Sequence, residues 1–197
     1  MVCIPKILSL IRKYITSFIS ELKGDKKNKE RPMISYIKEN YSKNNLKGVE
    51  IGVRDGGNAL SIMKTLDINK LILVDPYEQY TENEKNWDSE KQKKYYNEAK
   101  KNLKDFKDKI YFVKKKSEEA APIIDDELDF VYIDGGHDFE NVKKDIEKWF
   151  PKVKKGGIIG GHDFKSKYLG LTKAVNQFVE KNGYNLMGDD TDWWIIK

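Results

Sequence analysis

The chain has two histidines, and each stands inside a copy of the same five-residue string: Gly135–Phe139 in VYIDGGHDFENV and Gly160–Phe164 in GGIIGGHDFKSK. An aspartate follows each histidine, and Asp134 precedes the first copy. Imidazole ionises near neutral pH, so it can take and return a proton, and together with carboxylates it can ligate a divalent cation. His137, His162 and one carboxylate would also suit a non-haem iron that activates oxygen. The bland reading is that Asp134 caps a turn and the histidines pack on Phe139 and Phe164. Two histidines and two aspartates gathered after neighbouring strands favour a functional site instead.

Those residues need a scaffold, and the apolar runs supply it. After a helical stretch around Met33–Lys43, the strand candidates are KGVEIGV, KLILVD, KIYFVK, LDFVYID and GGIIGG. Helical patterns alternate with them, as in Glu140–Phe150, where Val142, Ile146 and Trp149 share a face. Alternation of this kind predicts an α/β fold with a mostly parallel sheet covered on both faces. The two GGHDF copies then fall at the carboxyl ends of the fourth and fifth strands. If those strands are neighbours, the copies lie about 4.8 Å apart on the edge where open α/β sheets bind ligands. No wider duplication accompanies them, so the repeat reads as two loops meeting at one site.

The end of the chain breaks the alternation. After a helix over Leu171–Asn182, GYNLMG and DWWIIK are separated only by DDT, which fits an antiparallel hairpin and leaves no room for a crossover helix. Trp193 and Trp194 alternate sides on the last strand and read as core, as does Trp149. The segment PYEQYTENEKNWDSEKQKKYYNEA after Asp75 is polar and rich in aromatics; it reads either as a cover over an acceptor or as a solvated helix, with a polar helical region around Glu90–Phe106.

In VEIGVRDGGNA a strand ending at Glu50–Gly52 turns through Gly56 and Gly57 into a helix, a place where a ligand can approach the backbone and meet free N–H groups. Asp75 follows the second strand, where its carboxylate can accept from both hydroxyls of a ribose. The dinucleotide fingerprint G-x-G-x-x-G is not met, because Arg54 stands where the second glycine belongs, and this argues against NAD.

Composition narrows the remaining classes. The 197 residues suit one domain, and Lys+Arg and Asp+Glu nearly balance at 37 and 32. A net charge of +5 without an Arg-rich block gives little reason to expect nucleic acid as a partner. One cysteine, Cys3, excludes an internal disulfide framework and suits a reducing compartment, with the cytoplasm as the default. In the first 23 residues, Ile4, Ile7, Leu8, Ile11, Ile15, Phe18, Ile19 and Leu22 form one apolar stripe interrupted by Arg12 and Lys13, which fits neither a signal peptide nor a spanning helix. The stripe is expected to pack on the body or on a second subunit of a homo-oligomer; attachment to an anionic membrane surface is the less favoured reading. Residues 1–31 are thus an amphipathic helix and linker, and residues 32–197 the catalytic domain.

VEIGVRDGGNA, LILVDPY, FVYIDGGHDFENVKKDIEKWFPKVKKGGIIGGHDF and the terminal hairpin together resemble the class I S-adenosylmethionine-dependent methyltransferases. The likeness is to the small-molecule O-methyltransferase branch that includes macrolide-sugar and catechol-type enzymes. It spans roughly Gly48 to Lys197. The resemblance implies a Rossmann-like, seven-stranded sheet with an antiparallel last strand. It also implies S-adenosylmethionine as cofactor, with Glu50, Gly52 and Gly56 near its methionine end, Asp75 on the ribose, Ser117 and Glu118 near the adenine, and Asp134 beside it. By the same resemblance Asp134 and Asp163 bind a divalent cation, Mg²⁺, with His162 where some relatives carry a further acidic ligand, and His137 acts as base. The implied reaction is methylation of a hydroxyl on a sugar or another polar small molecule. A non-catalytic cofactor-binding subunit, with the N-terminal helix recruiting a partner, is the third alternative beside the iron oxygenase.

Overall fold

Leu128–Ile133, the strand β6, is buried at every position, which places it in the middle of a sheet covered on both faces. The computed structural model describes residues 30–197 other than 42, 83, 84, 126 and 190, with the backbone alone for 81, 82 and 85–87. The amphipathic stripe expected in the first 23 residues lies outside the described residues. No helix among the described residues is long and apolar enough to cross a membrane.

Along the chain, helix α1 (Pro32–Asn40) leads to β1 (Leu46–Ile51), α2 (Gly57–Thr65) and β2 (Ile68–Val74). A small hairpin of β3 (Tyr80–Glu82) and β4 (Lys85–Trp87) precedes α3 (Ser89–Asn102) and β5 (Ile110–Val113). The short helix α4 (Ser117–Ala120), β6, α5 (Phe139–Trp149) and β7 (Val153–Gly161) follow. The chain ends with α6 (Leu169–Asn182), β8 (Met187–Asp189) and β9 (Asp192–Ile196).

The strands form a seven-stranded sheet in the order β5-β2-β1-β6-β7-β9-β8, so the order reverses direction between β1 and β6. β1, β2, β5, β6 and β7 are parallel, whereas β9 runs antiparallel to both β7 and β8. The fold class is therefore the one expected, a Rossmann-like α/β sheet with an antiparallel terminal hairpin.

Alternation along the strands divides the core into two layers. Val131, Ile133, Ile159 and Trp193 face one side with Val142, Ile146 and Trp149 of α5. Phe130, Tyr132, Ile158 and Trp194 face the other, with α1 and α2. The two adjacent tryptophans of β9 thus anchor opposite layers, and both are buried. The polar segment after Asp75 holds the β3–β4 hairpin, which its composition did not announce.

The second GGHDF copy sits differently from the first. Gly135 begins two residues after β6 ends, while Gly160 and Gly161 are still inside β7. Because Ile133 pairs with Gly161, Asp134 is level with His162, and the repeated letters are offset in space.

Candidate active site

At the end of β1 the chain turns through a run of left-handed residues: Gly52 has φ 82°, Arg54 φ 53° and Gly56 φ 76°. Gly52 is forced by its neighbour as well as by its dihedral, because a Cβ there would lie 2.1 Å from the Asp134 carbonyl oxygen. The close approach draws the ends of β1 and β6 together. Gly56 packs towards α3, where an added Cβ would meet Ala99 and Leu103, and it does not line the cavity described below.

Glu50 precedes this turn and is 1% exposed. Its Oε1 accepts from Asn58 Nδ2 at 3.0 Å, while its Oε2 and Asn58 Oδ1 are buried without a partner among the described residues. Burial pushes the Glu50 carboxyl up to about 8, against the opposing pull of the Asn58 bond. A buried acid and a buried amide oxygen with unused acceptor capacity together call for a ligand that brings N–H donors, such as an ammonium group.

Asp75, after β2, is a brace for the same turn. Its Oδ2 accepts from the backbone N–H groups of Val53 at 2.9 Å and Arg54 at 3.0 Å, and its Oδ1 from that of Tyr77 at 2.8 Å. Burial raises its pKa, with the three backbone bonds pulling the other way. These bonds fill both acceptor positions of Oδ2 and one of Oδ1, so the brace leaves one position, on Oδ1, for a ligand hydroxyl.

The ends of β6 and β7 carry the histidine motifs. Asp134, the residue after β6, donates its backbone N–H to Ile51 at 2.8 Å, and His162 donates its own to Ile133 at 3.0 Å. His137 Nε2 lies 3.0 Å from Asp163 Oδ2, and the His137 ring stacks on Tyr168 with centroids 4.4 Å apart. One ligand atom each from Asp134, His137 and Asp163 falls within a 4.8 Å group, a spacing and donor set that fit a small divalent cation. Arg31 Nη2 stands 3.5 Å from Asp134 Oδ2, so a positive charge already faces this carboxylate. Burial nonetheless raises the Asp134 pKa. Asp163 is held below its ordinary value: burial pushes it up, but the His137 hydrogen bond and the charges of His162, His137 and Lys165 outweigh that push.

His162 takes a different position from the one expected of a ligand. Its Nδ1 is 2.7 Å from Asp192 Oδ1, and the buried Asp192 carboxylate also accepts from Tyr132 Oη and from the Met33 backbone N–H. His162 Nε2 is 3.7 Å from Asp163 Oδ1, outside the 4.8 Å group, and the residue does not line the cavity. The buried charge of Asp192 is the physical reason, since the imidazole is its nearest polar partner on the β7 side. The pair of histidines needed by an iron oxygenase is therefore not assembled: His137 joins the cluster and His162 is turned to the hairpin.

One further carboxylate of the cavity escaped the sequence reading. Asp145 on α5 is 7% exposed and lines the cavity. Positions 142, 145, 146 and 149 share one helical stripe, so an acid at 145 among Val142, Ile146 and Trp149 was the available signal. Ser117, expected near an adenine, accepts from Trp149 Nε1 at 2.7 Å and lines the same cavity as Asp145. Glu118 is half exposed and stands 3.8 Å from Lys144 Nζ.

One cavity of about 1220 Å³ joins these pieces. Glu50, Gly52, Asp75, Ser117, Glu118, Asp134, His137 and Asp163 all contribute to its wall. It spans the carboxyl ends of β5, β2, β1, β6 and β7, which includes the switch point of the sheet. Its volume exceeds that of a typical single small-ligand pocket.

Comparison with known proteins gives this arrangement its family. A viral protein of Acanthamoeba polyphaga mimivirus, called uncharacterized protein R132, is 27% identical over 157 residues, which cover 75% of this chain and 65% of that protein. The chain therefore spans somewhat less than two thirds of that relative's length. Among solved structures, the S-adenosylhomocysteine-bound Podospora anserina methyltransferase PaMTH1 matches with a TM-score of 0.62 at 13% identity, over 83% of this chain and 75% of that one. The O-methyltransferase NovP matches with a TM-score of 0.61 at 18% identity, over 83% and 76% of the two chains. Other structures of the same fold are named as rRNA methylases, so the fold by itself does not choose the acceptor. The methyltransferase-domain family model matches residues 49–164, more than half of the chain and the whole stretch from the end of β1 to the second histidine motif, and the protein belongs to that family.

Proposed function

We propose that the protein transfers a methyl group from S-adenosylmethionine to a hydroxyl of a sugar or another polar small molecule, assisted by a divalent cation, Mg²⁺. The observation that carries this reading is the coexistence in one cavity of a buried Glu50 oxygen without a partner among the described residues and the Asp134–His137–Asp163 cluster. The first suits the ammonium of an amino acid, and the second suits the deprotonation of an alcohol.

Glu50 Oε2 and Asn58 Oδ1 receive the methionine ammonium, and Asp75 Oδ1 accepts from a ribose hydroxyl. Asp134 and Asp163 would hold the cation, while His162, with Nδ1 2.7 Å from Asp192 Oδ1, stands outside that group. A divalent cation held there would lower the pKa of a hydroxyl bound to it. With Nε2–H donating to Asp163 Oδ2 at 3.0 Å, His137 takes the hydroxyl proton on its other ring nitrogen, Nδ1, and Asp163 stabilises the imidazolium that results. The alcohol oxygen then forms its bond to the methyl carbon as the carbon–sulfur bond breaks, and that electron pair stays on sulfur as a neutral thioether. Because the sulfonium is already activated, the protein's task is to align the two molecules and remove one proton.

The test is methyl transfer from labelled S-adenosylmethionine, with Mg²⁺, to a panel of sugars, phenols and RNA. Label on a small-molecule hydroxyl is the expected result. Label on RNA alone would overturn the acceptor class, and intact cofactor binding without transfer to any acceptor would favour a non-catalytic subunit.

A further inference from the structure

The cavity wall around His137 carries two cationic side chains that the methyl-transfer chemistry does not use. Arg31 stands at the turn that opens α1, Lys167 lies on the loop between β7 and α6, and both line the cavity.

Arg31 brings more donors than the protein takes up. A guanidinium presents N–H groups on three nitrogens in a planar fork. Among the described residues its one hydrogen-bond partner is Asp134 Oδ2, 3.5 Å from Nη2, a long contact for a pair of opposite charges. The side chain is 29% exposed, so solvent reaches only part of the fork. Its backbone is anchored: the Arg31 carbonyl accepts from the Ile34 and Ser35 N–H groups at 3.0 Å, and the Met33 N–H donates to the buried Asp192 at 3.2 Å.

Lys167 reaches the same region from another element. Its ammonium lies 5.2 Å from the centre of the Tyr168 ring, and that ring stacks on His137. Lys165 is the lysine of this loop that pairs with Asp163, at 3.9 Å, whereas Lys167 has no carboxylate partner among the described residues.

Charge decides what such a wall accepts. The carboxylates of Asp134 and Asp163 carry the negative charge of the cluster, and a divalent cation held there would cancel it. Arg31 and Lys167 would then face an acceptor with no counter-charge between them. A neutral alcohol leaves the partly desolvated guanidinium under-paired, while an oxyanion on the acceptor satisfies it, and a carboxylate or phosphate matches the planar fork with two parallel hydrogen bonds.

We propose that the hydroxyl acceptor is itself an anion, whose carboxylate or phosphate group is held by Arg31 and Lys167 while its hydroxyl meets His137. The assignment deepens the reading of the cavity as a methyltransferase site and rests on it. Arg31 and Lys167 are specificity-determining residues on this view.

NMR titration of the full-length protein, saturated with S-adenosylhomocysteine and Mg²⁺, with matched pairs of ligands tests it: D-glucuronate and glucose 6-phosphate against D-glucose, and protocatechuate against catechol. Hydrogen bonds to a charged group correspond to roughly tenfold to a hundredfold in affinity, and at least one anionic member is expected to bind more tightly than its neutral partner by such a factor. Arg31→Gln should lower that ratio by about tenfold. Lys167→Gln should lower it by about threefold, because this ammonium is exposed. A general loosening of the site weakens both members of a pair and leaves the ratio where it was. Equal binding within every pair, or binding of no anion, overturns the assignment and leaves the methyltransferase reading intact, provided that S-adenosylhomocysteine binds. Absence of S-adenosylhomocysteine binding overturns both. The wild-type comparison needs no substitution, so it stands even if a variant fails to fold; a preference that survives both substitutions would also overturn the assignment.

Discussion

His137 and Asp163, 26 positions apart in sequence, hold Nε2 and Oδ2 at 3.0 Å. One residue comes from the first GGHDF copy and the other from the second. The copies are offset along neighbouring strands, so the histidine of one meets the aspartate of the other. Their other members diverge: Asp138 caps α5 by accepting from the Asn141 backbone N–H, and His162 turns to Asp192.

If His137 takes the proton, His137→Ala should reduce the turnover rate by about 10²–10⁴ while leaving affinity for S-adenosylmethionine close to wild type. Parallel rate measurements and calorimetry check this. An equal loss in both would place His137 in cofactor binding.

Asp75→Ala should act the other way, weakening cofactor binding by about tenfold or more through loss of the ribose contact. It should also lower stability by about 1–3 kcal/mol, because the Val53, Arg54 and Tyr77 N–H groups lose their acceptor. Urea melts and calorimetry on the same variant separate the two effects. A loss of stability with unchanged affinity would reduce Asp75 to a brace.

Glu50 makes the stability of the ligand-free protein depend on pH. Its folded pKa of about 8 lies above its ordinary value, so the folded state binds the extra proton between the two. The stabilisation is complete below the ordinary carboxylate range and is lost as pH rises through about 8. The melting temperature of the wild-type protein should therefore fall from pH 5 towards pH 8.5 more steeply than that of Glu50→Gln, measured in matched buffers. Identical slopes would show that Glu50 is ionised in the fold or that it titrates normally.

Gly52→Ala should destabilise the fold by more than about 2 kcal/mol, because it combines a left-handed dihedral with a Cβ placed on the Asp134 carbonyl. Denaturant titration is the measurement. A neutral substitution would mean that the ends of β1 and β6 separate easily.

The cation makes a separate prediction. Chelation should abolish methyl transfer and leave S-adenosylmethionine binding in place, and Mg²⁺ should restore the rate. The Arg31 guanidinium, 3.5 Å from Asp134, competes for the same carboxylate, so Arg31→Ala should tighten Mg²⁺ binding severalfold in a direct titration. Weaker Mg²⁺ binding in that variant would show that Arg31 supports the site.

Much of this frame was legible from local pattern. The apolar residues of LDFVYID announced the strand β6, and the short DDT connection announced the antiparallel hairpin that puts Trp193 and Trp194 on opposite layers. The start of β7 was less legible, since the candidate GGIIGG left out residues 153–155, although it included Gly160 and Gly161. In the sheet they are close-approach positions, where an added Cβ would strike Trp193 and Ile133. Asp145 was hidden because helix periodicity was read from its apolar members alone, and a carboxylate on the same stripe broke the pattern it belonged to. The fate of His162 depended on Asp192, a residue 30 positions away whose burial only the folded hairpin reveals.

The most direct test is a calorimetric titration of the metal-stripped protein with S-adenosylmethionine, repeated with Mg²⁺. Saturable one-site binding is the predicted result in both conditions, because the cation belongs to the acceptor's hydroxyl and Glu50 and Asp75 hold the cofactor. Absence of binding in both would contradict the assignment of the cavity and with it the methyl-transfer chemistry.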